Sequence, residues 1–408
     1  MEFKALTPLD EAVNVLTKNV RRLDVEEVSI YECRGRVLAE DVVAGVDVPP
    51  FDRAAMDGYA VIAEDTFGAD EDSPVRLRVI GRVEAGENPS LELKRGEAVE
   101  IATGAAMPKN ANAVVMVEHT RRSGDFVEVF KAVPPLKNVS RRGEDVKSGE
   151  VVLKKGEILQ PQDAGVLASI GVSRVKVFRK PRVAVISTGN ELVKPGEELE
   201  FGKIYCSNDA AIANALSFAE PVRLGIVRDE EEEIERVLLK ALDCDAVIFT
   251  GGSSVGKRDL VPRVVERYAR VLFHGVAMRP GMPSGAAVVD GKPVFMLPGS
   301  PAAALLSFHA IVEPALFAMM GVRVLRRRGE KVRGTLASPV ASQLGVRSFV
   351  RVLWDNGKVY PVRVSGSSIL SSMVRANALL VIPENVEGFA EGEEVEVTLI
   401  RDLTEVLE

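Results

Sequence analysis

The hydrophobic positions at the start of the chain repeat with the period of a helix. Thr7 and Pro8 form an N-cap and N1 pair, and apolar residues then recur at three- and four-residue spacing, at Leu9, Ala12, Val13, Leu16 and Val20. Because this spacing places the apolar side chains on one face, we predict a helix from about Pro8 to Arg22.

From Val25 to about Arg179 the pattern changes to short β-rich runs. Runs such as VEEVSI, VRLRVIG, AVVMVE and DFVEVF are separated by Gly, Pro, Asn and Asp residues. This alternation is typical of small β domains, either barrel-like or elongated. One helical run, from Pro161 to Ile170, interrupts them.

Between Pro181 and Gly321 apolar strand-like runs alternate with helical runs. We predict strands in RVAVIST, VRLGIV, DAVIFT and KPVFMLP. We predict helices in SNDAAIANALSFA, capped by Ser207 or Asn208, in EEEIERVLLKAL, in LVPRVVERYA, and from about Pro301 onward. Such alternation implies a mainly parallel sheet covered by helices on both faces, so this segment forms one α/β domain.

After residues 326–328 the β pattern returns in SFVRVLW, KVYPVRV, ALLVIP and EEVEVTLI, which predicts a C-terminal β domain from about Gly329. The apolar stretch from Pro301 to Gly321 is interrupted by polar residues and a proline, at Ser307, His309, Glu313 and Pro314. It is therefore interpreted as a buried helix rather than a membrane span.

Composition narrows the functional class. Of 408 residues, 46% are hydrophobic and 27% charged, as in ordinary globular proteins. The 52 Lys and Arg against 59 Asp and Glu give a net charge of −7, which disfavours nucleic-acid binding because phosphate neutralisation needs a basic face. Three widely spaced cysteines predict neither a disulfide framework nor a cysteine zinc site, and they favour the reducing cytosol.

The strongest local signal for chemistry is the run AVIFTGGSSVGKRDL at residues 246–260. Glycines let backbone N–H groups approach an anion, and the N-terminus of the following helix adds positive potential. The spacing fits neither the dinucleotide fingerprint nor the Walker loop. We predict a phosphate cradle of another type, with a ligand-free turn as the alternative, formed by Gly251, Gly252, Ser253, Ser254 and Gly256.

Two further turns are predicted at the same sheet edge. FMLPGSPAAALL ends a strand at Pro298 and opens a helix at Pro301, so its backbone donors would face the same ligand. MRPGMPSG carries Arg279, whose guanidinium could bind an oxyanion or phosphate. Taken alone, either run could be a simple turn.

Acidic residues follow the predicted strand ends. Glu191 follows the first strand of the α/β domain, Asp229 the next, and Asp259 the glycine run. Beside a phosphate cradle such acids suggest a bridging Mg²⁺, although Asp229 and Asp259 could instead cap the following helices. Asp57 precedes Gly58 in FDRAAMDGYAV, where a hairpin-type turn is the alternative.

Seven motifs, taken in their order along the chain, carry a family resemblance: FDRAAMDGYAV, IATGAAMP, AGVLASIGVSRVKVFRKPRVAVISTGNELV, TGGSSVGKRD, RPGMPSG, LPGSPAAA and SSILSSMVRANALLVIP. The chain resembles the molybdopterin molybdenumtransferases, the MoeA-type family that includes the gephyrin E domain. The resemblance spans nearly the whole chain.

The resemblance implies an N-terminal helix at residues 1–24 and an elongated domain of 25–45 and 140–178. It further implies a small inserted β domain at 46–139, an α/β molybdopterin-binding domain at 179–328 and a C-terminal β barrel at 329–408. It implies a cytoplasmic homodimer whose site lies between the α/β domain of one subunit and the N-terminal β domains of the other. Adenylylated molybdopterin and molybdate, or tungstate, would react there with a divalent cation, and a molybdopterin adenylyltransferase is a possible partner. Neither nucleic acid nor membrane is expected as a partner.

The resemblance also assigns residues. The catalytic positions would be Asp57, Glu191, Asp229 and Asp259, with Asp229 and Asp259 holding the metal. The substrate contacts would be the glycine run from Gly251 to Gly256 together with Thr103, Arg279, Pro283, Pro298, Pro301, Arg351 and Ser368. The predicted backbone donors and arginines suit the substrates, because molybdate and diphosphate are anions.

Two positions depart from the family pattern. Met282 stands where a cation is expected and Ala303 where a hydroxyl is expected, so both bear on oxyanion affinity and on the choice between molybdate and tungstate. The alternatives to metal insertion are molybdopterin adenylyl transfer, which related α/β domains perform alone, and a pterin-binding scaffold without turnover.

Overall fold

The computed structural model describes residues 6–251, 260–322, 329–363 and 368–401. The chain forms two compact units, one of residues 1–26, 35–39 and 177–408 and the other of 27–34 and 40–176. The finer division into five segments expected from the resemblance stays a prediction. The described helices are α1 Leu9–Asn19, α2 Pro161–Ser169, α3 Ser207–Ala215, α4 Glu231–Ala241, α5 Leu260–Val265, α6 Pro301–Ser307, α7 Glu313–Met319 and α8 Ser371–Arg375.

The strands fall into three groups along the chain. Those before residue 180 are β1 Val25–Ser29, β2 Val42–Val43, β3 Arg53–Ala54, β4 Gly58–Val61, β5 Val75–Val83, β6 Glu97–Ile101, β7 Ala113–Met116, β8 Thr120–Ser123, β9 Phe126–Val129, β10 Val139–Ser140, β11 Val151–Leu153 and β12 Arg174–Phe178. The middle group is β13 Arg182–Thr188, β14 Leu192–Val193, β15 Ile204–Tyr205, β16 Glu220–Val227, β17 Ala246–Thr250, β18 Arg270–His274, β19 Met278–Arg279, β20 Gly285–Val289 and β21 Lys292–Leu297. The last group is β22 Lys331–Leu336, β23 Val340–Ala341, β24 Arg347–Asp355, β25 Lys358–Arg363, β26 Ala378–Ile382, β27 Gly388–Phe389 and β28 Glu394–Leu399.

The predicted α/β domain is confirmed. Its six-stranded sheet has the order β16-β13-β17-β21-β20-β18, and the first four strands are parallel to one another. Helix α3 contacts β13 and β16, helix α6 contacts β21, and these two helices contact each other. Helices α4 and α5 also contact each other, and they pack on β16, β17 and β21. The antiparallel strands β18 and β20 were not predicted, because each is short and stands beside motifs that were interpreted as helix and turn.

Two helix caps differ from the predictions. Helix α1 begins at Leu9 with Pro8 at the N-cap, because the backbone of Thr7 pairs instead with Gly275 and Ala277. It ends at Asn19 rather than Arg22, since Val20 is already extended. Helix α3 has Cys206 at its N-cap, so neither Ser207 nor Asn208 caps it.

The apolar stretch after Pro301 is one helical run from Pro301 to Met319 with a π-helical turn at Phe308–Val312. The wider turn precedes Pro314, whose nitrogen carries no hydrogen for a helical bond. The run is long and apolar enough to cross a membrane, yet 67% of its most apolar window is buried inside the protein. This burial fits the predicted core helix.

The C-terminal region contains the predicted barrel. Five strands in the order β24-β25-β22-β28-β26 close through pairing of β24 with β26. The two-residue strand β19, which carries Arg279, runs parallel to β24 at the barrel edge. The unit of residues 27–34 and 40–176 contains its own six-stranded sheet, in the order β7-β4-β6-β5-β9-β8. This sheet packs around a core that includes Tyr59, Val61 and Val115.

A buried carboxylate fixes the start of the parallel sheet. Asp245, which directly precedes β17, accepts hydrogen bonds of 2.6 and 2.7 Å from the two Nη atoms of Arg179. It also accepts bonds of 2.9 Å from the Arg182 backbone nitrogen and 3.3 Å from Arg21. Burial alone would raise the pKa of the Asp245 carboxyl, but these hydrogen bonds and arginine charges together hold the pKa below its usual value.

Replacing Asp245 by Asn should lower the free energy of unfolding by about 2–3 kcal/mol, because it removes the buried carboxylate that Arg179 and Arg21 share. Since the folded-state pKa lies below the unfolded-state value, the carboxylate stabilises the fold at neutral pH. Its contribution is lost as the pH falls through the folded-state pKa. When urea unfolding is measured from neutral to acid pH, the free energy of unfolding should therefore fall less steeply with pH in Asp245→Asn than in the parent. The exposed neighbour Asp243→Asn is the control, and equal losses in both variants would contradict this role.

Candidate functional site

A cavity of about 410 Å³ opens where the parallel strands of the α/β sheet end. Thr188 and Thr250 are the last residues of β13 and β17, and Pro298 follows the last residue of β21. All three line the cavity. Ligands of open α/β sheets bind at this carboxyl edge, so the fold places the cavity where the sequence predicted a ligand.

Six of the predicted site residues line this cavity among the described parts of the chain. They are Glu191, Asp229, Gly251, Pro283, Pro298 and Pro301. Because they come from five different loops, their convergence is a property of the fold rather than of any one motif. Further predicted residues, Gly252, Ser253, Ser254, Gly256 and Asp259, lie outside the described residues.

Gly251 lets two strand ends approach closely. Its backbone φ is +98°, and a Cβ atom there would stand 2.3 Å from the carbonyl oxygen of Thr188. A Cβ on Gly299 would in turn lie 3.3 Å from the Gly251 Cα. Any larger residue would therefore push these turns apart, which explains why glycine occupies the start of the predicted cradle.

Two helix N-termini face the cavity. Cys206, Ser207 and Asn208 at the start of α3 line it, and so does Pro301 at the start of α6. Unpaired N–H groups and the helix dipole give these ends a positive potential. The cavity is therefore suited to phosphate or another oxyanion.

The carboxylates on the cavity supply the opposite charge. Asp229 lines the cavity but does not cap a helix, because α4 begins at Glu231 with Glu230 at its N-cap. Its backbone nitrogen donates to Asn190 Oδ1 at 3.2 Å. The carboxylate of Glu191 folds back over Gly189, 2.8 Å from where a Cβ of that glycine would stand.

The carboxylate oxygens of Glu191 and Asp229 are of the type that binds a metal ion. Carboxylate oxygens are the donors that Mg²⁺ prefers, and it is commonly held by one or two of them together with substrate phosphates. Among the described residues no group of three or more His, Cys, Asp and Glu side chains could hold a metal by itself. The donor set therefore suits a cation that arrives with a phosphate ligand.

Asp57 and Thr103 form a pair in the other unit. The Asp57 carboxylate accepts hydrogen bonds from the backbone nitrogen and the hydroxyl of Thr103, at 2.6 and 2.7 Å. These two bonds lower the pKa of Asp57. Gly58 begins β4 rather than a hairpin turn, and a Cβ there would stand 1.9 Å from the Val115 oxygen. Glycine is thus required by strand packing, and the neighbouring Asp57 carboxylate is exposed.

Three predicted contacts lie elsewhere among the described residues. Arg279 is exposed on β19, and Ser368 is exposed before α8. Arg351 is almost fully buried on β24. Of the two departures from the family pattern, Met282 is half-buried and Ala303 is packed inside the protein. The described lining of the cavity includes none of these five residues.

Sequence reasoning missed several lining residues. Thr188 ends its strand in STGNEL, and Asn208 appeared to be a helix cap in CSND. Both side chains line the cavity. A signal existed for Thr188, since polar residues at the carboxyl ends of parallel strands face ligands. For Asn208 the decisive contact, with Gly299, is distant in sequence.

Family models match the chain in three consecutive segments. The MoeA N-terminal region (domain I and II) matches residues 7–171, a probable molybdopterin binding domain matches 184–318, and the MoeA C-terminal region (domain IV) matches 333–400.

Similar proteins extend over the same length. A putative molybdopterin biosynthesis protein of Methanocaldococcus jannaschii is 41% identical over 98% of this chain and 99% of that protein. A molybdopterin molybdenumtransferase of Staphylococcus aureus is 35% identical over 96% and 95%. The crystal structure of the molybdopterin biosynthesis MoeA protein of Pyrococcus horikoshii OT3 aligns with a TM-score of 0.85 and 41% identity, covering 97% of this chain and 100% of that one.

Gly251→Ala should cost about 2–4 kcal/mol of stability, because the new methyl group meets the Thr188 carbonyl in addition to the strain of a positive φ. Gly196 is a matched control, since its φ is +93° and nothing lies within 4 Å of an added Cβ. Gly196→Ala should therefore cost about 1 kcal/mol, from backbone strain alone. Chemical denaturation of both variants measures the difference, and equal losses would show that the close approach is not needed.

Proposed function

Because this chain belongs to the MoeA family, we propose that it is a molybdopterin molybdenumtransferase of molybdenum cofactor biosynthesis. It inserts molybdate into adenylylated molybdopterin and releases AMP. The observation that carries this proposal is the cavity at the carboxyl edge of the α/β sheet, which combines two helix N-termini with Glu191 and Asp229.

The chemistry of the substrates matches this combination. Molybdate and the diphosphate of the adenylylated pterin are anions, for which backbone N–H groups and helix N-termini are suitable donors. The turn that opens α6, from Pro298 to Pro301, lines the cavity, and its N–H donors belong to Gly299 and Ser300. Gly251 allows the neighbouring turn to approach the same ligand.

The acids have a separate role. Asp229 would hold Mg²⁺ together with Asp259, and Glu191, which also lines the cavity, would be the carboxylate available to orient the attacking water. When bound, the cation neutralises charge on the diphosphate as the phosphoanhydride bond breaks. The proline and glycine turns meanwhile keep the phosphates in place.

We further propose a homodimer, in which Asp57 and Thr103 of one subunit complete the cavity of the other, as the family resemblance implies. The family resemblance also assigns oxyanion contacts to Arg279, Arg351 and Ser368, of which Arg279 and Ser368 are exposed. On the same resemblance, Met282 bears on oxyanion affinity and on the choice between molybdate and tungstate. A cytoplasmic location fits the three cysteines, which are free and buried. A molybdopterin adenylyltransferase would supply the adenylylated substrate.

A turnover assay separates this function from its alternatives. The protein is incubated with adenylylated molybdopterin, molybdate and Mg²⁺, and AMP and molybdenum cofactor are quantified. AMP release that requires Mg²⁺ and accompanies cofactor formation supports the proposal. Adenylylated product from ATP and free molybdopterin would identify an adenylyltransferase instead, and binding without turnover would identify a scaffold.

Asp229→Asn should reduce AMP release by two or more orders of magnitude, because an amide cannot replace the charge that a divalent cation requires. The melting temperature should barely change, since Asp229 is not a helix cap. Asp243→Asn, an exposed acid that does not line the cavity, should turn over like the parent. Normal AMP release by Asp229→Asn would remove this residue from the metal site.

A site shared between subunits predicts complementation. Asp57→Asn and Asp229→Asn homodimers should each be inactive. After unfolding and refolding as an equal mixture, heterodimers carry one doubly altered site and one intact site, so about a quarter of the parental activity should return. An active monomer, or a mixture no more active than its components, would contradict the shared site.

A further inference from the structure

Asn208 has a fixed orientation in the cavity wall. It is the second residue of α3, is 8% exposed, and lines the cavity. Its Nδ2 donates a 2.8 Å hydrogen bond to the carbonyl oxygen of Gly299. Because a carbonyl oxygen can only accept, the NH₂ group must face Gly299, and Oδ1 must be the atom that points away from it.

Two buried polar atoms on this cavity have no hydrogen-bond partner among the described residues. They are Asn208 Oδ1 and the hydroxyl oxygen of Thr188, whose residue is 2% exposed. Leaving a buried polar atom unpaired is unfavourable, and buried polar atoms are paired in nearly all structures. Two such atoms on one cavity indicate that its ligand pairs with them.

The free atom of Asn208 specifies the kind of ligand group. An amide oxygen only accepts hydrogen bonds, whereas phosphate and molybdate oxygens also only accept, so an oxyanion cannot pair with Oδ1. The partner is then an N–H or O–H donor, or a cation. Glu191 and Asp229 offer a cation on this cavity the carboxylate oxygens that it prefers, which favours a neutral donor for the amide oxygen.

We propose that Asn208 determines specificity by accepting a hydrogen bond from the N–H edge of the pterin, with the Thr188 hydroxyl beside it. The same side chain positions the turn from Pro298 to Pro301 through Gly299. The aminopyrimidinone ring of a pterin carries adjacent N–H donors and a carbonyl acceptor. A hydroxyl can serve either kind of group. This inference rests on the proposed function, since it requires a pterin in the cavity.

Asn208→Asp separates the two hydrogen bonds with almost no change of shape, and Asn208→Ala removes both. At neutral pH the new carboxylate still offers the pterin an acceptor but has no proton to donate to the Gly299 carbonyl, so the turn loses its anchor and molybdopterin should bind about tenfold more weakly. As the pH falls toward the pKa of the new carboxyl, the protonated form donates to Gly299 and keeps an acceptor for the pterin. Binding should then recover, whereas Asn208→Ala should bind weakly at every pH.

Asn214→Asp is the matched control on the same helix. Asn214 is exposed and bonds to the Ala210 carbonyl at 2.8 Å, so its variant should bind molybdopterin like the parent. Binding is measured by titration calorimetry with molybdopterin, with and without EDTA, and melting temperatures are recorded at each pH. A loss of affinity that follows the melting temperature would reduce Asn208 to a structural role.

The outcomes separate this inference from the function on which it rests. If the parent protein does not bind molybdopterin, the proposed function fails first. If the parent binds it and Asn208→Ala binds equally well, only the role of Asn208 is overturned. A difference between parent and variant that disappears in EDTA would show that Oδ1 contacts a cation instead.

Discussion

The close approach of neighbouring strand ends at the carboxyl edge of the α/β sheet is the constraint on which the site depends. Three turns leave β13, β17 and β21 and come together there, and glycines at 251 and 299 make the contact possible. When the turns are this close, their N–H groups and the starts of α3 and α6 face one volume. Backbone groups held by a packed sheet need no reorganisation when an anion binds, which is the general basis of electrostatic preorganisation.

The sheet is held at its opposite edge by the Asp245 network. Asp245 precedes β17, and Arg179 and Arg182 flank the entry to the neighbouring β13, so one carboxylate fixes the relative start of two central strands. Register set at the amino ends carries through to the carboxyl ends, because parallel strands are paired along their whole length. The charged network and the cavity are thus at opposite ends of the same strands.

The elements with strong periodicity were predictable from sequence, and those fixed by distant contacts were not. Strands such as Arg182–Thr188 and helices such as Glu231–Ala241 carry continuous signals over several residues. The cap at Thr7 was wrong because that residue pairs with the segment between β18 and β19, more than 260 positions away. Asn208 lies 91 residues from Gly299 in sequence, so no local pattern could reveal that its amide belongs to the site.

The same reasoning explains the mixed success with charged site residues. Acids just after strand ends were placed at the ligand edge by topology, and Glu191 and Asp229 do line the cavity. Their carboxylates stay partly or fully in contact with solvent, so their charge carries little desolvation cost. The buried floor is formed instead by neutral groups, the Thr188 hydroxyl and the Asn208 amide. In the proposed function, a site arranged in this way would keep its negative charge hydrated until a cation and a phosphate enter together, while the uncharged groups would select the heterocycle by hydrogen-bond polarity.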